Sequence, residues 1–440
     1  MPVFPTTIAI KDLVYYNSEF NLNTIKRHEA LYRGGEHFKK LAREFLFQRE
    51  IEKSLRTDLY NQRLERTAYT PHAAVIDFLV SSVMKSEVVV TGPSPYWDTL
   101  NTDADGDGTD LAMIARNLLL DSLLHGRSWL EIFFGDDYLV DNDTNKTDEN
   151  SPKNEARLQV VPPSMVNDWG DGWARIYTIS NERDLLWGPM TRTTERWSYL
   201  TDKEIVKYEY VKENDPVKNS KNSNAFNATL IGRETHDLGI CPLLKMSLSH
   251  PGMWIMNRID QLLVQIYNRE SALQFALDQG CYSLLVLNLN TTLITQVYAS
   301  EVAALKLTTG EMAGFISPDV QIYEAAMKDI ERSRTELGRV IHAATLEQAS
   351  KVQSPRATGT ATKIQQSPME ALLSSYAAPV IDVLTKAFTA IALMRGEDPN
   401  KVIISGMDDF TGAEDEDLTS SDEDPTDTSG VKTGISDKEK

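Results

Sequence analysis

The chain has 440 residues, of which 41% are hydrophobic and 25% charged, and its formal net charge is −19. These proportions are typical of a soluble globular protein with two or three domains. The acidic excess argues against a protein that wraps nucleic acid with a basic surface, although it suits a surface past which a polyanion slides without being held. Ordinary solubility is the other explanation of the same charge.

The sequence gives no sign of export or membrane insertion. Residues 1–17 lack the basic start and long apolar core of a signal peptide. No apolar run reaches the roughly 18 residues that span a bilayer. The two cysteines, Cys241 and Cys281, stand beside apolar residues, so we expect buried thiols and neither a disulfide framework nor a zinc site. We expect a soluble protein made in a reducing cytoplasm.

The first part of the chain is predicted to be helical. Residues 20–85 repeat apolar positions at helical spacing, with an interruption at Gly34 and Gly35. Thr70 and Pro71 are typical of the start of a further helix. The acids of Asp103–Thr109 alternate as in a calcium loop, but Ile114 stands where a bidentate carboxylate is needed. A polar turn is therefore favoured over a metal site.

The next helix and the strands that follow it have clear boundaries. Asp107, Thr109 or Asp110 could cap a helix over Leu111–Leu124, which Gly126 would close. Alternating and β-branched residues then predict successive strands, with tryptophans 169, 173, 187 and 197 packing on a sheet face. The predicted strands are Ser128–Phe134, Leu158–Val161, Ala174–Ile179, Glu195–Tyr199, Glu204–Val211, Ala228–Thr235 and Leu243–Ser247.

Long helices frame a small β module in the C-terminal half. Helical spacing is seen over Met253–Gln279, over the charged segment Ala326–Glu347 and over the nearly uncharged segment Gln365–Arg395. A strand is expected at Lys401–Ser405, and the acidic residues 408–440 have too few apolar side chains to fold. The module between the first two helices is predicted to contain the strands Ser283–Asn288, Ala313–Ser317 and Val320–Tyr323 and a helical piece near Ser300–Leu305.

The charged helix and the loop after it carry the candidate functional residues. Pairs three residues apart, Glu331–Arg334 and Asp329–Arg332, could each stabilise the helix by about 0.2–0.5 kcal/mol. Such a helix tolerates solvent, or packs beside a copy of itself with interlocking charges. The loop 349–363 has few charges among small residues, which suits weak, sequence-independent phosphate contact; a plain surface loop is the alternative. The helix charges are Lys328, Asp329, Glu331, Arg332, Arg334, Glu336 and Arg339, and the loop charges are Lys351, Arg356 and Lys363.

Catalytic motifs are not evident. The seven histidines form no pair at the helical spacing of a metal site. There is no nucleophile elbow and no phosphate-binding glycine loop. We therefore expect no enzymatic activity, no cofactor and no metal.

The order of these parts resembles the portal (head-to-tail connector) proteins of tailed bacteriophages. The similarity covers roughly residues 25–410. It rests on Ala30–Glu36 (ALYRGGE), on Asp110–Phe134 with its segment HGRSWLEI, and on the order of helix, β module, helix, loop, long helix and strand across 253–405. One departure is the acidic tail, which stands where some members have a helical crown.

The resemblance implies an α+β portal-type fold with an α/β wing, a two-helix stem, a small α/β clip insertion and a long kinked helix. Pro368 and Pro379 would be its kink or boundary sites. The implied division is a wing at 1–250, stem helices at 251–280 and 326–347, a clip at 281–325, a tunnel loop at 348–363, the long helix with a wing or crown strand at 364–407, and a disordered tail at 408–440.

It also implies a homo-oligomeric ring, normally of twelve subunits, at one capsid vertex of the virion. Double-stranded DNA would pass through it non-specifically during packaging and ejection. Partners would be the major capsid protein, terminase and head-completion or adaptor proteins, with no membrane. The tunnel-loop cations would be nearest DNA, and the stem charges would lie between subunits. A ring-forming scaffold or adaptor without DNA translocation is the alternative, and a hydrolase is a more distant one.

Overall fold

The computed structural model describes thirteen segments of the chain, and the fold is reported for these. It is mixed helix and sheet, so the predicted α+β class is confirmed. The described residues are 4–13, 16–54, 57–69, 73–134, 156–182, 192–213, 227–236, 238–248, 254–280, 284–288, 312–316, 320–340 and 359–407.

Helices dominate the first 125 residues. Gly34, with φ of 63°, separates the second helix from the third, as the sequence predicted. The Asn21 side chain caps the second helix by accepting a hydrogen bond from the Thr24 amide. The helices are α1 (Ile10–Leu13), α2 (Leu22–Arg33), α3 (Gly35–Phe45), α4 (Glu50–Ser54), α5 (Thr57–Arg66), α6 (Ala73–Val83), α7 (Pro95–Thr102) and α8 (Leu111–His125).

Helix α8 is the central helix of the core. The Asp110 carboxylate accepts a hydrogen bond from the Met113 amide at its start, and Gly126 ends it in the left-handed conformation, as predicted. Nine of its fifteen residues are buried, most of them at the helical spacing of one face, and the last three are buried one after another where the helix ends. Before it, Asp103 and Asp105 accept hydrogen bonds from amides of their own loop, which confirms the predicted polar turn.

Two antiparallel sheets hold most of the strands. We name the six-stranded sheet, in the order β1-β9-β8-β7-β6-β5, the large sheet; β10-β3-β4 packs on α8. Trp197 and Trp169 pack in different hydrophobic clusters of the large sheet, and Trp169 contacts Trp129 edge-on, so these tryptophans do not share one sheet face as predicted. Trp187 lies outside the described residues. The strands are β1 (Thr7–Ala9), β2 (Val89–Thr91), β3 (Arg127–Phe134), β4 (Ala156–Val161), β5 (Val166–Gly170), β6 (Trp173–Glu182), β7 (Arg192–Thr201), β8 (Glu204–Glu213), β9 (Asn227–Thr235) and β10 (Leu243–Ser247).

The C-terminal part consists of two helices with a hairpin between them, followed by a long helix that packs on the core. Helix α9 (Ile255–Gly280) is followed by a hairpin of β11 (Leu284–Asn288) and β12 (Met312–Ile316), and then by α10 (Val320–Val340). Helix α11 (Gly359–Met394) then packs against α6, α8 and β10. A 3-10 turn at Pro399–Lys401 leads to β13 (Ile403–Ser405), which pairs with β2.

Several predicted boundaries were wrong. Val320–Tyr323 is the first turn of α10 and not a strand, so the charged helix starts six residues earlier than its predicted start at Ala326. Helix α11 starts at Gly359 and continues through Pro368 and Pro379, so neither proline is a helix boundary. Strands β1, β2 and β5 were not predicted. The predicted helical piece near Ser300, Cys281 and the acidic residues 408–440 lie outside the described residues.

Helix α11 contains a longer apolar segment than we expected from the sequence. By length and composition alone, Glu370–Met394 could cross a membrane, although half of its most apolar window is buried inside the protein. Val380, Leu384 and Phe388 are almost completely buried in the core that α11 shares with α8. Packing within the protein therefore accounts for this apolar face.

The cysteine that the structure describes is a free thiol. Cys241 is half-buried, and its Sγ contacts the carbonyl oxygen of Leu200. Burial raises the pKa of the thiol to about 11, so it stays protonated at neutral pH.

Candidate functional site

The charged helix α10 packs antiparallel to α9. Tyr323, at its beginning, donates a hydrogen bond to the Ala276 carbonyl near the end of α9. Further along α10, Asp329 contacts Arg269 of α9, earlier in that helix. Ile330 and Leu337 are buried on the α10 side that faces the protein. The β11–β12 hairpin lies between the two helices in the chain, and we name the described residues of 255–340 the arm.

Two ion pairs join the helices of this arm. Arg269 Nη1 lies 2.9 Å from Asp329 Oδ2, and Arg334 Nη2 lies 2.6 Å from Glu270 Oε1. Arg269 also donates a hydrogen bond to Ser333 Oγ. The Arg334 and Asp329 side chains are about half exposed, so each pair is worth roughly 0–1 kcal/mol. Apolar burial therefore contributes more to the helix pairing than these charges do.

The pairs suggested from sequence were wrong about which helix supplies the partner. Asp329 and Arg334 contact α9 and not residues three positions away on their own helix. Arg269 and Glu270 were missed as functional candidates. Their only signal in the sequence is that they are adjacent charges in a helix of mostly apolar and amide side chains.

A second set of charges on α10 points away from α9. Lys328, Glu331 and Arg332 are exposed, and none has an ion-pair partner within the thirteen described segments. Glu336 and Arg339 are also exposed and pair with each other, with 3.5 Å between their charged atoms. Positions 328, 331, 332 and 339 fall on one side of a helix with 3.6 residues per turn. We name Lys328, Glu331, Arg332 and Arg339 the outer stripe.

The predicted DNA-proximal loop is described only at its end. Lys351 and Arg356 lie outside the described residues. Lys363 lies within α11, because this helix starts at Gly359 and not at Gln365. Lys363 is therefore not a loop residue as predicted.

Among the described residues, none form a group of three or more His, Cys, Asp or Glu side chains that could hold a metal ion. The carboxylates of Asp103 and Asp105 are occupied by loop amides, as described above. The geometry of the arm is that of a packing surface with charges of both signs.

No family model matches the chain, and no curated protein matches it either. Solved structures do match. One is a chain of the "Neck of empty GTA particle computed with C6 symmetry", which is 11% identical with a TM-score of 0.39, over 79% of this chain and 84% of that one. Another is a chain of the "Neck of native GTA particle computed with C12 symmetry", which is 12% identical with a TM-score of 0.34, over 76% of this chain and 79% of that one.

Proposed function

We propose that this chain is the subunit of a portal ring, the channel at one capsid vertex through which double-stranded DNA enters and leaves. The observation that carries the proposal is the arm: an antiparallel helix pair with a β hairpin inserted in it, followed by a long helix that returns to the body. Under the sequence resemblance these elements would be the stem, the clip and the long helix, and their order along the chain supports the proposal.

The charges of the arm support a ring. Asp329 and Arg334 are used within the chain, whereas the outer stripe carries both signs and is exposed. In a cyclic assembly the same surface meets its neighbour at every interface, so a stripe with both signs can complement another surface of the same chain. The stripe residues and Glu336 are the proposed stem charges between subunits, whereas Asp329 and Arg334, which were also predicted there, contact α9 of the same chain.

The channel wall would be acidic with few cations. Duplex DNA carries one negative charge per about 1.7 Å of its axis, so a strongly basic wall would bind it tightly and stop its movement. Lys351, Arg356 and Lys363 would each be repeated around the ring and form sparse positive collars. DNA would be repelled on average and contacted locally, without sequence preference.

The remaining assignments follow from the same proposal. Residues 1–250 would be the wing and 281–325 the clip, which would dock terminase and later the head-completion proteins, while the major capsid protein would surround the ring. The protein would act in the virion as a structural component and not as an enzyme, and it would need no cofactor.

Electron microscopy of the purified full-length protein tests the ring. We expect a particle of about twelve subunits with an axial hole, viewed down its symmetry axis. A monomer or dimer at all concentrations would contradict the proposal. A closed ring that does not support DNA packaging would instead favour the scaffold or adaptor alternative.

The channel contact is tested separately. The triple variant Lys351→Gln, Arg356→Gln, Lys363→Gln should assemble rings normally but package or retain less DNA, because the collars are lost. The matched control neutralises Lys11, Lys40 and Lys401, which are exposed on other elements. Equal packaging by both triple variants would remove the proposed role of these cations.

A further inference from the structure

A cavity lined by both polar and aromatic side chains lies where the large sheet meets the helical body. It has a volume of about 270 Å³, and its walls come from α2, from the end of α8, from β3, from β5 and from the start of α9. Trp169 and Val166 of the large sheet form one side. His28, His125, Arg127 and Trp254 also line the cavity, with the Arg127 guanidinium 4.7 Å from the centroid of the Trp169 ring.

Four polar atoms around this cavity have no hydrogen-bond partner among the described residues. They are Nε2 of His28, Nδ1 of His125, Nη1 of Arg127 and Nε1 of Trp254. His28 is 1% exposed and His125 5% exposed, so solvent contact does not replace a partner for these rings. Buried polar groups are nearly always hydrogen-bonded, and several that converge on one cavity suggest a ligand site.

The chemistry of these groups indicates what would bind. The Trp254 indole nitrogen and the Arg127 guanidinium can only donate hydrogen bonds, so they need acceptor oxygens. His28 Nδ1 lies 3.0 Å from the Leu124 carbonyl oxygen, which can only accept, so this nitrogen carries the proton. Its Nε2 lies 3.9 Å from Asp260. The two donors, on Trp254 and Arg127, therefore favour a ligand with two acceptor oxygens, while the unprotonated Nε2 of His28 would accept a hydrogen bond.

The charges and the shape of the cavity further restrict the class of ligand that would bind. Arg127 Nη1 lies 3.5 Å from the Glu19 carboxylate, and Lys245 lies at the same distance from that carboxylate. The local positive excess is therefore small and suits one negative charge better than two. The aromatic walls, formed by Phe20, Trp169 and Trp254, suit an apolar body.

We propose that this cavity binds a small organic monocarboxylate, with its carboxylate facing Arg127 and Trp254 and its apolar body between the aromatic side chains. The volume is slightly below the range of about 300–1,000 Å³ that holds drug-sized ligands, which excludes a nucleotide. Because the walls come from both the large sheet and the helical body, the bound ligand would hold these two parts together. This proposal is independent of the portal assignment.

Isothermal titration calorimetry of the full-length protein with benzoate as probe tests the proposal. We expect a Kd of about 1 mM or tighter, as ligand-efficiency limits allow for so small a molecule. Acetate, which lacks the apolar body, benzyl alcohol, which lacks the charge, and inorganic phosphate should each bind at least about tenfold more weakly. Phosphate binding as tight as that of benzoate, or no binding of any probe, would overturn the proposal.

A pair of matched variants locates the binding. Trp254→Phe removes one donor from the cavity and should weaken benzoate about five- to tenfold. Trp129→Phe is the control. It removes an indole nitrogen that also has no hydrogen-bond partner among the described residues, but Trp129 does not line the cavity. The affinity of this variant for benzoate should therefore stay unchanged. Equal affinities of the two variants would show that benzoate binds elsewhere, even if either variant were less stable.

Discussion

Arg63 and Glu52 form a buried ion pair in the helical body. Arg63 Nη1 lies 2.7 Å from one Glu52 oxygen and 2.8 Å from the other, and the side chains are 4% and 1% exposed. Arg63 Nε also contacts Ser271 of α9, so the pair connects α4 and α5 to the root of the arm. Burial opposes ionisation of Glu52, but hydrogen bonds from the Arg49 amide and from Arg63 outweigh it and lower the pKa of this carboxyl.

Glu52→Gln should therefore destabilise the protein by about 3 kcal/mol, because Arg63 would keep a buried charge without its counter-ion. Denaturant unfolding at pH 7 measures the loss. The lowered pKa of Glu52 means that its contribution is present above the unfolded-state value of about 4.3 and disappears as the pH falls below it. Glu36→Gln is the control: its pair with Lys39 is fully solvent-exposed, and the unfolding midpoint should not change.

The pKa of Asp121 on α8 is shifted in the opposite direction to that of Glu52. Burial and the nearby Glu29 carboxylate raise its pKa to about 7. Above pH 7 the folded protein holds a carboxylate that the unfolded chain ionises more easily, so stability decreases as the pH rises from about 4 to 7.

Asp121→Asn should remove this penalty and stabilise the protein by about 2–4 kcal/mol at pH 8, with little gain at pH 4. Thermal or denaturant unfolding at the two pH values provides the measurement. Asp382→Asn, at an exposed carboxylate paired with Lys386, is the control and should show no pH-dependent gain. A gain at pH 4 as large as at pH 8 would contradict the explanation.

Elements with a strong local pattern were predicted well. The alternating residues of Glu204–Glu213 and the capped, apolar α8 carry enough information in their own sequence. β1 and β2 have three residues each and exist because they pair with β9 and β13, more than 200 residues away. No local pattern encodes such pairing.

Val320–Tyr323 shows a second limit of predicting structure from a short stretch of sequence. Its alternating residues (VQIY) fit a strand, yet Asp319 directly before it is equally typical of a helix N-cap. The outcome depends on packing against α9, which a short window does not contain. The same limit applies to the site: the charges of α10 were identified, but which of them would face Arg269 and Glu270 depended on the relative rotation of two helices.

The stability of the arm should depend on the apolar side of α10. Leu337→Ala should cost about 2–4 kcal/mol, because this leucine is 3% exposed and its removal leaves a cavity between α10 and the core. Glu331→Ala, on the outer stripe of the same helix, should leave stability within about 0.5 kcal/mol of the wild type. Denaturant unfolding of both variants compares the two sides, and similar losses would mean that α10 does not pack as described.

At the scale of the whole molecule, assembly of the proposed ring should depend on the outer stripe. The double variant Lys328→Glu, Arg332→Glu should fold normally but form fewer rings, because like charges would face the neighbouring subunit. Light scattering coupled to size-exclusion chromatography measures the ring fraction, and circular dichroism checks folding.

The control for assembly is Lys11→Glu, Lys401→Glu, which changes the net charge equally at exposed positions on other elements. We expect its ring fraction to match that of the wild type at physiological salt. If both double variants lost rings to the same extent, overall charge and not the outer stripe would govern association.

The return of α11 to the core also has a consequence during synthesis. Val380, Leu384 and Phe388 fill the space beside α8, and β13 completes a sheet with β2, whose residues were made more than 300 positions earlier. At about 5–20 residues per second, the ribosome needs tens of seconds to cover that distance. Throughout this interval the nascent polypeptide would hold an open hydrophobic cleft, so chaperone binding should be strongest before codon 395 is translated, and products truncated ahead of α11 should be degraded.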